Sequence, residues 1–554
     1  MKATKVAATL GTLLIASSVM AACGGNNTDN GNNNGSSNAN QTSKADAATN
    51  APAESAAADS NPYAEHYTYE VYSLDAPADF DSFPLVKEAK EKFNIDIKIQ
   101  QVLGDVWDQK TRTLVASNDL PEVVAWYNLN YGEYVSWAKQ GVFKAIDTSK
   151  YPNLDKLTKE YKIYDKVKVD GKLYAFPKVI VSNPYNEIGT EMYMYRRDWA
   201  KAMGHDFAPV QDMTWDELTN YLKELKEKDP AKLGDKLVPL EVGSGGKGWS
   251  GTFGLQFNPN IQTYFKKDGE WEFGAAQPET LEGIKQVKSL YDQGLLAKDS
   301  YAYKDGEGLD RLYAGRVGVY YGNQNVANMK DIITKMQVTN PNFKDEDYGV
   351  FMVTMPDGKV HVKEKFEWWG SFAFASSIDD KKMDRWLQMG DWLLEQEQLE
   401  KNAYGAQGVD WTKDGSAVNV TWPKDAQGNY SFTKDNGKNY INDQKMFTKW
   451  FILEGTDVWL EGNPLYSDYL KNDLLKTYVE KAEAAGPVMT SNNYDLDFFT
   501  APNKNKYGTF GDDVRDNFIK AVVSNNPEQV WNSFLKSIEP KVKSVTAELD
   551  KGLQ

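Results

Sequence analysis

Two stretches of the chain set a carboxylate directly against tryptophan: Glu367 precedes Trp368-Trp369, and Asp410 precedes Trp411. Paired carboxylates around a sugar could do glycosidase chemistry, one as acid and the other as nucleophile or base. The same residues could instead hydrogen-bond sugar hydroxyls without reaction, while the tryptophan faces stack on the rings. With 79 acidic residues in the chain, neighbouring carboxylates are unavoidable. Nothing near either pair marks a raised pKa or a catalytic partner, so the binding role is favoured. A glycine run, Gly243-Ser-Gly-Gly-Lys-Gly-Trp, fits G-x-G-x-x-G at Gly243, Gly245 and Gly248. It leads into Trp249-Ser-Gly-Thr-Phe-Gly, a poor helix start, and Lys247 precedes glycine rather than Ser or Thr, so a phosphate loop is disfavoured. The loop reads better as a mobile segment that presents Trp249 to a cleft. His66, His205 and His361 are scattered outside any metal-ligand spacing, and no Ser/His/Asp or Cys/His arrangement can be built from them.

Cys23 is the single cysteine. Lys2 and Lys5 give a basic start, Val6 to Met20 is mostly apolar, and Met20-Ala21-Ala22-Cys23 closes with small residues. This pattern reads as a secretion signal over 1–22 and resembles the bacterial lipobox, which implies lipidation of Cys23; the alternative is an ordinary signal with a chance cysteine. The apolar stretch is short for a spanning helix, which needs about 20 residues. Gly24 to Pro62 holds no aromatic residue and no Val, Ile, Leu or Met. Such a segment cannot offset its ordering entropy by burial, so 23–62 is expected to be a disordered tether. A flexible coil of that length reaches roughly 35 Å.

The remaining body, about 490 residues from Tyr63, suits two lobes. With Cys23 lipidated it has no disulfide, so its stability must come from core burial. A formal charge of −16 excludes nucleic-acid or anionic-lipid binding driven by net charge. The 16 Trp, 31 Tyr and 23 Phe suit a site that stacks flat apolar faces, although many must be core.

Period-two alternation at Tyr67–Ser73, helical spacing over Phe83–Phe93 and alternation again from Asn94 make a βαβ unit, hence a parallel sheet. Further strands are expected at Glu122–Trp126, at Glu191 onward, at Val317 and at Tyr348. Asp170-Gly171 marks a tight turn, and Thr214-Trp-Asp-Glu217 a capping box opening a helix with Trp215, Leu218, Leu222 and Leu225 on one face. One long helix is expected over Ile378–Glu400, and two more at Asp513–Ser524 and Pro527–Ile538.

The chain resembles the extracellular solute-binding proteins of family 1, the sugar-binding lipoproteins of ABC importers. The likeness rests on the order of several loose pieces. These are the lipobox, Glu91-Lys-Phe-Asn-Ile-Asp-Ile, Asp119-Leu-Pro-Glu-Val-Val, Asp170-Gly-Lys-Leu-Tyr-Ala-Phe-Pro and Tyr195-Arg-Arg-Asp-Trp. Thr214-Trp-Asp-Glu-Leu, Leu312-Tyr-Ala-Gly-Arg-Val-Gly-Val and Tyr404-Gly-Ala-Gln-Gly-Val-Asp-Trp follow in turn. The resemblance implies a two-lobed α/β fold of the type II periplasmic-binding-protein kind. Each lobe would be a mixed sheet flanked by helices, with the ligand cleft at the hinge. Lobe 1 would take 63–180 plus about 360–440, and lobe 2 would take 181–359 plus about 441–554. It further implies a monomer without catalytic activity or cofactor, anchored outside the cell through Cys23 and handing an oligosaccharide to an ABC permease.

Some relatives carry a calcium loop shaped like D-P-N-G-N-G-K-x-D. Here that place reads Asp229-Pro-Ala-Lys-Leu-Gly-Asp-Lys, with Ala231 and Leu233 in place of oxygen donors, so no calcium is expected and the loop reads as a plain turn. Loops at strand ends would supply the cleft: Asp75, Trp126, Asn128, Tyr185, Trp249, Tyr321, Asn323, Trp368, Trp369 and Trp411. For each tryptophan a core position is an equal alternative. A surface-anchored glycoside hydrolase or lyase, a structural cell-wall protein and a receptor for another small solute stay open.

Overall fold

The computed structural model describes residues 61–553, apart from 74–79, 103–105, 128–130, 181–190, 244–247, 304–306, 325, 364–367, 416, 422–451, 455–473, 491–492 and 509. Cys23, the signal over 1–22 and nearly all of the tether lie outside these residues.

Strand β1 (Tyr67–Ser73) buries Tyr69, Val71 and Tyr72. The helix Pro84–Phe93 packs Leu85, Val86, Ala89 and Phe93 inward, one face of a 3.6-residue period, and stops at Asn94, whose φ of 49° is left-handed. It returns the chain to β2 (Ile95–Gln101), parallel to β1 with Tyr67 opposite Ile95, as the alternating sequence requires. β3 (Val123–Tyr127) lies parallel on the other side of β1. The Asp170-Gly171 turn has positive φ at both residues, 48° and 77°, and leads toward β4 (Ala175–Ile180).

After 181–190 the chain enters a second sheet through β5 (Glu191–Arg196), followed by β6 (Val210–Thr214), β7 (Val238–Val242) and a hairpin of β8 (Tyr264–Lys267) and β9 (Glu270–Phe273). β10 (Val317–Asn323) and β11 (Tyr348–Thr354) complete that sheet. β12 (His361–Lys363) precedes β13 (Trp368–Phe374), which returns to the first sheet. A hairpin of β14 (Trp411–Asp414) and β15 (Ala417–Val420), then β16 (Ile452–Glu454) and β17 (Val488–Thr490), finish the strands.

The first sheet has six strands in the order β16-β4-β13-β3-β1-β2, and the second has five in the order β6-β11-β5-β10-β7. In the first, β13 runs antiparallel to both neighbours; in the second, β5 does. Each is the strand by which the chain arrives from the other sheet. A chain that leaves at the C-terminal ends of parallel strands and enters its partner from the facing edge must run the opposite way there. The topology therefore sets the C-terminal edges of both sheets beside the crossings, the edge where open α/β sheets bind ligands. Val360 and Val362 pack in the second sheet's core, and β16 lies parallel to β4 in the first sheet.

The second sheet is covered on both faces. Tyr193, Tyr195, Phe351 and Val353 point into one core and Met192, Met194, Val350 and Met352 into another, the alternation of a pleated strand. The capping box forms in both halves, with Thr214 accepting from Glu217 N–H and the Glu217 carboxylate accepting from Thr214 N–H. Two helix expectations need correction. Ile378–Glu400 is two helices, Asp380–Leu393 and Gln396–Tyr404, parted where Glu395 leaves helical geometry at ψ 144° while Leu393 and Leu399 both stay in the first core. The last helix runs from Pro527 to Gly552, straight through Pro540. Burial of Val545 and Leu549 beyond the proline outweighs the hydrogen bond that proline removes.

At the loop after Lys228, the Asp229 carboxylate accepts from the N–H groups of Leu233 (2.8 Å) and Gly234 (2.7 Å). Both oxygens thus hold the backbone that a cation would otherwise organise. Asp229→Ala should cost about 1–2 kcal/mol through these lost bonds. In the unsubstituted protein, a chelator or added Ca²⁺ should leave the melting temperature unchanged; a calcium-dependent rise in differential scanning calorimetry would contradict this account of the loop.

Candidate functional site

A cavity of about 370 Å³ opens at the C-terminal edge of the second sheet. Gly243 after β7, Gly322 and Asn323 at the end of β10, and Glu191 at the start of β5 bring strand ends to it. The register pairs Asn323 with Glu191, so carboxylate and amide enter from adjacent strands. Gly308, Leu309 and Tyr313 come from the helix Glu307–Tyr313, and Asn328, Asp331 and Ile332 from the helix Val326–Thr339. The buried ring of Tyr320 forms part of the wall. It needs both neighbouring glycines: a Cβ at Gly243 would sit 2.6 Å from Tyr320 Oη, and one at Gly322 would sit 2.8 Å from its ring.

Tyr313 Oη donates to Asp331 Oδ2 at 3.0 Å, and Lys335, one turn along the helix, approaches the same oxygen at 2.8 Å. Asn328 Nδ2 donates to the carbonyl of Asn323 at 3.1 Å and ties the helix to the strand end. The wall is polar, hydroxyl-sized and partly aromatic, which suits a ligand rich in hydroxyl groups.

Beneath this wall, Glu241 of β7 is fully buried. Burial pushes its carboxyl up to about 7, against the pull of the Val242 N–H and the Arg311 guanidinium, 3.8 Å away. Arg311 makes its shorter contacts with Asp299, at 2.8 and 3.3 Å, and stacks over Tyr303.

At the facing edge of the first sheet, β1 ends at the buried Ser73, β3 at Trp126-Tyr127 and β4 at Ile180, where β13 begins with Trp368 opposite Val179. Trp368 is half-buried and stacks on Phe498 with ring centroids 6.2 Å apart. Phe498 also meets Tyr131 edge-on at 4.5 Å. Its helix, Tyr494–Phe498, bridges the two cores: Leu496 packs in the second, Phe498 lies against the first, and Asp495 pairs with Lys166.

The ten expected site residues separate clearly. Asn323 is exposed and lines the cavity, and Trp368 stands at the crossing. Asp75, Asn128 and Tyr185 lie outside the described residues. Trp126 and Trp369 hold their places in β3 and β13, their side chains lying outside the described part. Trp249, Tyr321 and Trp411 are core. Trp249 is 0 % exposed, its Nε1 donating to Ser300 Oγ at 2.8 Å between Tyr291 and Tyr301. The residue after the glycine run therefore faces the core: a Cβ at Gly248 would fall 1.7 Å from the Gly243 carbonyl, so only glycine lets these two backbone positions approach beside the buried tryptophan. Tyr321 alternates with Tyr320 on a strand covered on both faces and packs at a tilt against Tyr193, ring centroids 4.4 Å apart. Trp411 is buried against Tyr404, its Nε1 donating to the Gly405 carbonyl.

Of the two carboxylates beside tryptophan, Glu367 lies outside the described residues. Asp410 is nearly buried and its Oδ2 accepts from Ala406 N–H at 2.8 Å, which braces the turn rather than a cleft. Arg197 is likewise structural, donating to the carbonyls of Glu346 and Phe207. Each histidine meets a single carboxylate: Asp96, Glu224 and Asp357. Among the described residues no group of three or more metal-ligating side chains forms. Sequence reasoning missed Glu191, Tyr313, Asn328 and Asp331. The last two were reachable, since they sit three residues apart in the first turns after the Val317 strand.

The sequence model of the family described as bacterial extracellular solute-binding protein matches residues 76–398. A Bacillus subtilis relative, the polygalacturonan/rhamnogalacturonan-binding protein YtcQ, is 25% identical over 352 residues, covering 59% of this chain and 63% of YtcQ. The Streptococcus pneumoniae fructooligosaccharide ABC transporter substrate-binding protein FusA is 26% identical over 275 residues, 46% of this chain and 47% of FusA. Its solved structure with kestose superposes with a TM-score of 0.64 at 18% identity, covering 88% of this chain and 98% of that one. Lipoprotein LipO of B. subtilis is 23% identical over 412 residues, 70% of this chain and 76% of LipO. In these alignments the chain spans less than two thirds of YtcQ and about half of FusA.

Proposed function

Because the chain belongs to the bacterial extracellular solute-binding proteins, we propose that it is a receptor that captures an oligosaccharide between its two sheets and delivers it to an ABC importer. The observation that carries this reading is the cavity at the strand ends, lined by Asn323, Asn328, Asp331, Glu191 and Tyr313 and facing the crossings. Carboxylates and amides there accept from and donate to ring hydroxyls, and Trp368 at the opposite edge offers a face for a sugar ring. The first lobe comprises the β1–β4 sheet with β13 and β16, and the second comprises the β5–β11 sheet with the C-terminal helices. Ligand held by both edges favours the closed arrangement, and the permease reads that population shift.

The proposal includes a lipid anchor on Cys23, action as a monomer and no catalytic turnover. YtcQ and FusA are named for binding carbohydrate and LipO as a lipoprotein, which supports the reading. The engagement of Asp410 within its own turn speaks against the hydrolase alternative.

A thermal-shift screen against mono- and oligosaccharides tests the receptor role. A bound sugar at a hundred times its Kd should add about 2.7 kcal/mol to stability, with no product released on long incubation. Product release abolished by Asp410→Asn would sink the receptor reading. Cys23→Ser should move the protein from the membrane fraction to the medium and leave sugar affinity unchanged.

A further inference from the structure

We infer that the second-sheet half of the cleft selects neutral, hydroxyl-rich oligosaccharides and rejects uronates, with Glu191 and Asp331 as the specificity-determining residues. The inference rests on the receptor reading above and narrows its ligand.

The cavity wall carries two carboxylates, two amides and two phenols, and no lysine or arginine belongs to it among the described residues. A carboxylate can accept from two vicinal sugar hydroxyls and gains from doing so, because charged acceptors make the stronger hydrogen bonds. A uronate carboxylate in the same place meets like charge in a partly desolvated site. Lys335 does not reverse this. It pairs with Asp331 from the next turn of the same helix, half-exposed and over the Tyr313 ring, so it offsets one acidic charge and adds no anion site to the wall. Arg311 is held by Asp299 and Glu241 below the wall. Arg196 and Arg197 stand at the opposite end of β5, where Arg196 pairs with Asp198 and Arg197 donates to the Glu346 and Phe207 carbonyls. The chain's overall charge of −16 adds a long-range term of the same sign.

The test is a titration of the full mature chain, by calorimetry or intrinsic tryptophan fluorescence, with length-matched neutral oligosaccharides (fructo-, gluco- and galacto-) and oligogalacturonates. At least one neutral series should bind tenfold or more tightly than any oligogalacturonate. In the double variant Glu191→Gln, Asp331→Asn, with its fold checked by circular dichroism, that ratio should fall at least fivefold. Tighter binding of oligogalacturonate than of every neutral sugar overturns the inference and leaves the receptor role intact. An unchanged ratio in the double variant overturns the assignment to Glu191 and Asp331. Absence of saturable binding to any oligosaccharide overturns the inference together with the reading on which it rests.

Discussion

Trp249→Ala is expected to lower the unfolding free energy by about 3–5 kcal/mol, the range for removing a large aromatic side chain from a packed core. The ring is fully enclosed, edge-on to Tyr291 and Tyr301, and its N–H is satisfied by Ser300. Truncation forfeits that burial and opens a void, because the neighbouring strand and helices cannot collapse into it. Ser300 keeps its own bond to the Ala297 carbonyl, so the loss is one of packing rather than of a stranded hydroxyl. Sugar affinity of the remaining folded protein should be nearly unchanged. Trp368→Ala should do the reverse: a destabilisation of about 1 kcal/mol for a half-buried ring, and a clear loss of affinity. Urea unfolding and sugar titration of both variants check the pair. If Trp249→Ala kept its stability and lost binding, the ring would belong to the cleft after all.

Glu241→Gln should make the protein more stable at pH 8 by about 2–3 kcal/mol. Glu241 titrates near 7 in the folded chain and near its ordinary 4.5 when unfolded, with burial as the main cause. The folded state therefore binds this proton more tightly. The stability it confers is complete below about pH 4.5 and is lost as pH rises through 7, at about 1.4 kcal/mol per unit. Glutamine keeps the shape, can still accept from Val242 N–H, and removes the ionisation. Urea midpoints of both proteins should diverge from pH 5 through 6 to 7, the variant gaining on the parent, and the gap should level off between pH 7 and 8. A variant less stable than the parent at pH 8 would mean that Arg311 stabilises the charged carboxylate more than burial penalises it.

The amino-acid order by itself determined the local elements. Alternation drew the strands at Tyr67 and Ile95, short apolar runs those at Val317 and Tyr348, and the 3.6-residue stripe the helix at Pro84. Thr214 and Glu217 marked a helix start that both halves of the capping box bear out. These signals are local: a cap, a turn or a face is complete within a few residues. The order of loose pieces along the chain also carried the two-lobed class, because the crossings follow from which strand comes next.

Only the tertiary structure decided which aromatics were free to meet a ligand. Trp249, Tyr321 and Trp411 look like Trp368 in sequence, since an aromatic residue has the same chain neighbours whether its ring turns in or out. What encloses Trp249 is its packing between Tyr291 and Tyr301 beside Ser300, and what buried Tyr321 is a sheet covered on both faces. The continuation of the last helix through Pro540 was likewise set by the core beneath Val545 and Leu549, not by the proline. Burial is a property of what packs on the far side, and residues hundreds of positions away supply it. For that reason the sequence could fix the strand ends that carry a site, while the fold chose the side chains that line it.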